Sequence, residues 1–197
     1  MKKIKEFNNV WELVNKNTLV GRNKAINIYN ELIQTVNLIG NTAEIGVYRG
    51  NTSKFIHEIC DHKTHYCYDT FEGVALVDKS IDSHNNGDFA CPLEEVKKMV
   101  GEDNVIYKVG IFPNTFNENN EKFSFIHSDT DTYAGTKATL ECFANIMVKN
   151  GKIFFDDYKW KACMGVEKAI KEFLENNKNY TIKEFEKPCQ CVLTRIA

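Results

Sequence analysis

Acidic residues recur at one kind of place in this sequence, the carboxyl end of a short apolar run. Glu44 lies late in TAEIGVY (42–48) and Asp69 ends HYCYD (65–69). Asp129 and Asp131 follow KFSFIHS (122–128), and Asp156 and Asp157 follow KIFF (152–155). A carboxylate at a strand end faces the crevice where open α/β sheets bind ligands. Any one of these acids could cap a helix or sit solvated in a loop. Their repetition along one edge points to a site. A single helix separates the runs before Asp129 and Asp156, and consecutive parallel strands are usually neighbours. Asp129, Asp156 and Asp157 would then share a small volume and raise one another's pKa. A hard divalent cation removes that conflict, and an all-oxygen set suits Mg²⁺. His127 stands two residues before Asp129 and points to the same side of the strand. It is a candidate base or a donor to a ligand, or else a satisfied structural histidine.

The loop after the first run reads Glu44-Ile-Gly46-Val-Tyr48-Arg-Gly50-Asn-Thr52. Its glycines let backbone approach a ligand at a strand-to-helix turn. The spacing is not GxGxxG, and Arg49 fits poorly in a dinucleotide pyrophosphate loop. Asp69, ending the next strand, is placed to accept both hydroxyls of a ribose. Acids at both places favour a cationic nucleoside such as S-adenosylmethionine over NAD, which brings two phosphate charges.

The elements that must hold these residues alternate. Helical spacing appears at Tyr29, Leu32, Ile33 and Val36. A helix over 51–60 follows the first strand, capped by Asn51 or Thr52. Leu93 to Val100 is a helix before a strand over 104–109. Leu140, Phe143, Ala144 and Met147 mark another helix, stopped by Asn150-Gly151. Val166, Ala169, Ile170, Phe173 and Leu174 mark the last. Strands over 180–186 and 191–196 flank a turn at Lys187-Pro188 and read as a hairpin. The expected fold is α/β: a Rossmann-like, seven-stranded, mostly parallel sheet with helices on both faces and an antiparallel C-terminal hairpin. One domain spans 1–197, with 1–38 a helical cap. That cap and the polar loop Asp78–Asp88 would close over an acceptor.

Composition narrows the class. The 197 residues carry 25 Lys plus Arg against 27 Asp plus Glu, a net charge of −2. That argues against a broad nucleic-acid surface. Hydrophobic residues at 43% and charged residues at 26% exclude a disordered chain. No apolar run has the length of a signal peptide or a membrane span, which predicts a cytoplasmic protein. Seven cysteines, an odd number, argue against a disulfide scaffold. Cys60, Cys67 and Cys142 sit in apolar segments as core thiols. Cys189-Gln190-Cys191 lacks the second ligand pair that a zinc site needs.

Five strings, in order, carry a resemblance: EIGVYRG (44–50), YDTFEG (68–73), GIFPNT (110–115), HSDTDTY (127–133) with TKATL (136–140), and FDDY (155–158). Together they resemble the macrocin O-methyltransferase (TylF) family, over about residues 40 to 175. The resemblance implies a class I, S-adenosylmethionine-dependent and Mg²⁺-dependent enzyme that methylates sugar hydroxyls. By position, Glu44, Gly46, Tyr48, Gly50 and Thr52 would line the cofactor's methionine end. Asp69, with Thr70, would hold the ribose, and Gly110, Ile111 and Phe112 would flank the adenine. Asp129, Asp156 and Asp157 would hold the metal, and Asp129 would also touch the cofactor and act as base. Thr132 stands where the more distant catechol methyltransferases carry a lysine, which points away from a catechol. The expected partner is a small acceptor, a sugar, nucleotide sugar or glycoside, with no nucleic acid or membrane span, in a chain that could form a homo-oligomer. Alternatives are a metal-independent methyltransferase with His127 as base, and a non-catalytic nucleotide-binding module. A nicotinamide oxidoreductase is disfavoured by the missing GxGxxG.

Overall fold

A computed structural model describes residues 4–197. Five strands run parallel: β1 (Asn41–Ile45), β2 (His65–Asp69), β3 (Val105–Val109), β4 (Phe123–Ser128) and β5 (Met147–Asp156). The hairpin β6 (Tyr180–Phe185) and β7 (Gln190–Arg195) completes the sheet, with β7 antiparallel to both β5 and β6. The seven strands follow the order β3-β2-β1-β4-β5-β7-β6. β4 is buried at every residue and β1 at all but its first. Continuous burial of this kind requires cover on both faces, which is what parallel strands with crossover helices receive.

Successive side chains of β4 and β5 serve opposite faces. Phe125 and Phe154 pack with Val10, Ile28, Leu32 and Phe55. Those residues come from α1 (Phe7–Val14), α2 (Arg22–Leu32) and α3 (Asn51–Ile59). Ile126, Ile153 and Phe155 pack with Leu140, Phe143, Val166 and Ile170, from α5 (Tyr133–Phe143) and α6 (Met164–Asn176). α4 (Leu93–Val100) brings Val96 and Val100 against Val47, Cys67 and Phe71. Among the described residues no helix is long and apolar enough to cross a membrane. Of the amino-terminal cap, residues 1–3 lie outside the described residues.

Three local expectations are corrected. β1 stops at Ile45 because Gly46 turns the chain with φ 83°, so Val47 and Tyr48 belong to the loop. Gly50, with φ 81°, caps α3 without a side-chain bond. The expected cap Asn51 is occupied elsewhere, its amide donating to the carbonyls of Val14 (2.7 Å) and Lys16 (3.0 Å). Asn150-Gly151 does not stop a helix. α5 ends at Phe143, and Met147 to Val148 already pair as strand. Asn150, at φ 63°, sits in an irregularity where pairing jumps from Phe123↔Met147 to Phe125↔Lys152. An Asn-Gly pair supplies the left-handed geometry that a bulge needs as readily as a helix end does.

Strand order reverses between β1 and β4, and open α/β sheets bind ligands at such a switch. Ile45 pairs with Ser128, and Ser128 with Phe155. The next residues in each strand, Gly46, Asp129 and Asp156, therefore reach the same sheet edge side by side.

Candidate active site

A cleft of about 400 Å³ opens at that edge, within the size range of small-molecule sites. Its wall includes Glu44, Gly46, Tyr48, Thr52, Asp69, Thr70, Gly110, Ile111, Phe112, Asp129, Asp156 and Asp157. Gly46 is required there twice over. Its φ is positive, and a Cβ would overlap the Asp129 carbonyl oxygen. The close approach lets the first loop and the β4 end share one floor.

Two predicted residues sit elsewhere. Gly50 is buried against α4, where a Cβ would meet Val100 Cγ2 at 2.7 Å, and it does not line the cleft. His127 has no exposed surface and lies beneath the cleft floor. Its Nδ1 is 2.9 Å from Glu44 Oε1. Glu44 takes a second bond from the Ser53 hydroxyl at its other oxygen. Burial pushes the Glu44 carboxyl up, and His127 and Ser53 oppose that shift.

Asp69 is engaged rather than free. Its Oδ2 accepts from the amides of Val47 (2.6 Å) and Tyr48 (2.9 Å), and its Oδ1 from the amide of Phe71 (2.7 Å). The Thr70 hydroxyl adds a fourth, longer bond to Oδ1 at 3.5 Å. Asp69 thus braces the first loop against the second.

Asp129, Asp156 and Asp157 converge as expected, with one oxygen from each lying within 4.8 Å of the others. Loss of water, then the charges of Asp156, Asp131 and Asp157, raise the Asp129 carboxyl well above its ordinary range. Burial and Asp156 raise Asp157. Asp131 is pushed up to about 6 by burial and by Asp157. Tyr48, Asp131 and Asp157 all hold left-handed backbone, at φ 50°, 59° and 53°. Non-glycine residues kept in that region concentrate at functional sites.

A cation absent from the sequence expectation completes the cluster. Lys24 of α2 places its Nζ 2.8 Å from Asp156 Oδ2 and 2.8 Å from Asp157 Oδ1. Asp156 Oδ1 accepts from Gln190 Nε2 at 2.9 Å, and Gln190 Oε1 accepts from Asn27 at 3.0 Å. α2 is therefore tied to the acids at two points. No local signal marks Lys24, because its partners are more than a hundred residues away. His84 and Cys163 lie beside Asp131 and were equally invisible as a group.

The family model for macrocin O-methyltransferase (TylF) matches residues 9–188. Among curated proteins none matches the sequence. The solved structure of the O-methyltransferase NovP superposes with a TM-score of 0.77 at 20% identity, covering 91% of this chain and 82% of that one. CalS11, a calicheamicin methyltransferase, gives 0.73 at 16% identity, over 95% and 90%. An O-methyltransferase from Bacillus cereus in complex with SAH gives 0.65 at 12% identity, over 98% and 93%. At these identities the three establish the fold, and the family model, matched over most of the chain, establishes the family. The chain belongs to the macrocin O-methyltransferase (TylF) family and is an S-adenosylmethionine-dependent O-methyltransferase.

Proposed function

We propose that the chain methylates a hydroxyl of a sugar, nucleotide sugar or glycoside, with Mg²⁺ held by Asp129, Asp156 and Asp157. The observation that carries this reading is the meeting of those three carboxylates with the switch-point cleft. The donor set fits the ion: three oxygens from three side chains within one small volume, of the hard type that Mg²⁺ prefers. A divalent ion there supplies Lewis acidity, lowering the pKa of a neighbouring acceptor hydroxyl. Asp129, open to the cleft between the donor loop and the acids, accepts the hydroxyl proton. The first loop, Asp69 and the Gly110–Phe112 turn hold the methyl donor. Holding both reactants in line provides much of the rate.

The acceptor side supports a ring with an apolar face. Trp160 is half-exposed beside Asp157, and Leu19, Leu76 and Phe89 expose apolar surface on the same cleft. One solved CalS11 structure is that of a TDP-rhamnose 3′-O-methyltransferase, an acceptor class consistent with this wall. Residues of the amino-terminal cap and of the 78–88 loop, including Leu19, Lys24 and His84, border the acceptor end.

A second reading has its own observation. Lys24 already neutralises Asp156 and Asp157, so a metal-independent transferase would rest on Lys24 as its fixed cation. A methyl-transfer screen against nucleotide sugars and simple glycosides, with Mg²⁺ and with EDTA, separates the two. Activity lost in EDTA supports the metal reading, and full activity in EDTA overturns it. Under the metal reading, excess Mg²⁺ restores Asp156→Asn in part but not Asp129→Asn, which loses ligand and base together.

A further inference from the structure

A second group of ligand-type side chains lies on the far side of Asp157 from Lys24. His84 comes from the 78–88 loop, Asp131 from the turn after β4, and Cys163 from the start of α6. His84 Nε2 is 3.7 Å from Cys163 Sγ, Cys163 Sγ is 3.4 Å from Asp131 Oδ1, and His84 Nε2 is 4.0 Å from Asp131 Oδ1. A tetrahedral zinc ion, with bonds of about 2.3 Å to sulfur and about 2.0–2.1 Å to nitrogen or oxygen, sets its donors about 3.4–3.6 Å apart. The two distances to sulfur match that spacing within about 0.2 Å, and the His84–Asp131 distance is wider by about 0.6 Å, which the exposed loop carrying His84 can close.

The ligands are also held and oriented. The backbone of Asp82 bridges that of Cys163, and the Ser83 amide donates to the Ala162 carbonyl at 3.1 Å. These bonds fix the loop one residue before His84. Gly165 permits the approach, since a Cβ there would crowd Asp82 Oδ1 and the Tyr133 amide. Asp88 Oδ2 lies 3.9 Å from His84 Nδ1. At that distance the carboxylate is an electrostatic neighbour of the ring and not a hydrogen-bond partner. The cluster adjoins the acidic set, with a side-chain hydrogen bond between Asp131 and Asp157. One thiol proton faces His84, Asp131 and, at 4.0 Å, Asp157 Oδ2.

We propose that His84, Asp131 and Cys163 bind a borderline divalent cation of the zinc class, separate from the Asp129–Asp156–Asp157 set, with its fourth position open to the cleft. A mixed sulfur, nitrogen and oxygen set suits such an ion and not Mg²⁺. His84 and Asp131 line the cleft and Cys163 is fully buried behind them, so the open position faces the acceptor end. Three protein ligands with a vacant fourth are the pattern of catalytic rather than structural zinc. Binding releases the Cys163 thiol proton to solvent and leaves a thiolate on the metal.

The inference stands on ligand geometry and not on the methyl-transfer reading, and its test needs neither methyl donor nor acceptor. Chelator-treated protein is titrated with Co²⁺ and followed by absorption. One equivalent of Co²⁺ should produce a near-ultraviolet thiolate-to-metal band with strong tetrahedral visible bands, and Zn²⁺ should abolish both. Cys163→Ser should lose the thiolate band. His84→Asn, which changes a side chain outside the core, should weaken Co²⁺ binding by at least about tenfold. Asp156→Asn should keep the band, separating this site from the acidic set. Absence of the band in the parent chain, its survival in Cys163→Ser, its loss in Asp156→Asn or unchanged affinity in His84→Asn would overturn the proposal.

Discussion

Lys24→Met removes the ammonium from between Asp156 and Asp157 while keeping most of the aliphatic stem. The size of the effect follows from the burial of the partners. The side chains of Lys24, Asp156 and Asp157 are 24%, 3% and 20% exposed. Exposed ion pairs contribute about 0.2–1 kcal/mol, and breaking a fully buried one costs about 3–5 kcal/mol. This two-armed pair falls between, at about 2 kcal/mol. In metal-free buffer the variant should be less stable by that amount, a fall in Tm of roughly 4–8 °C for a domain of this size.

A divalent ion on the acids would compete with Lys24 for the same two carboxylates. Removing the competitor should therefore tighten Mg²⁺ binding by about 2 kcal/mol, or roughly 30-fold. Titration of Mg²⁺ against Tm, in parent and variant, measures both quantities at once. In the variant, Mg²⁺ should also recover the lost stability. Unchanged or weaker Mg²⁺ binding in Lys24→Met would refute the reasoning, because the ammonium and the ion would then not share a site. Loss of EDTA-resistant activity in the variant would instead identify Lys24 as the working cation.

Asp69→Ala strips the acceptor from three loop amides, so it should cost at least the roughly 1.5–3 kcal/mol of one bond to a charged group, and S-adenosylhomocysteine affinity should fall with it; calorimetry and urea unfolding read the two, and unchanged stability would remove the bracing role. Gly46→Ala should cost about 2–6 kcal/mol, combining left-handed strain and overpacking, seen as a lowered unfolding midpoint and no detectable cofactor binding. Burial, aided by His57 and His127, lowers the His65 imidazole from 6.5 to about 3. Its neutral form then stabilises the fold fully above about pH 6.5, and that contribution fades as pH falls from 6.5 toward 3. At pH 5 the loss is about 2 kcal/mol. The difference in unfolding free energy between the parent and His65→Gln should shrink by that much from pH 7 to pH 5, and a constant difference would show that His65 does not titrate this way.

What the sequence disclosed follows the range of the interactions involved. β2 and α4 span the residues that apolar patterning predicts, because their burial repeats with strand or helix period. The acids at the strand ends were legible for the same reason, since a strand that ends fixes where its last side chain emerges. Their partners were not. Asp69 is satisfied by amides of two loops and Asp156 by Lys24 and Gln190, contacts that exist only after the sheet assembles. Cys163 and His84 share no sequence signal, being 79 residues apart, and the Asp82–Cys163 bridge and the Ser83–Ala162 bond bring them together. Asn150-Gly151 was misread because the pair reports a backbone angle and not the element that uses it.

His127 shows most clearly how this site separates support from chemistry. Glu44 and His127 are register partners across β1 and β4, at the strand pair where the sheet reverses. They bond at 2.9 Å with essentially no exposed surface, and Ser53 of α3 takes the remaining oxygen. An unsatisfied buried carboxylate here would be costly, whereas a bonded group of three is stiff. Gly46 follows Glu44 by two residues and Asp129 follows His127 by two, so one buried anchor sets the height of the donor loop and of the carboxylate opposite it. A proton taken by His127 would have to enter a position that the cleft does not reach. That burial supports a positioning role for His127 toward Asp129, whereas the acids and Lys24 line the cleft itself.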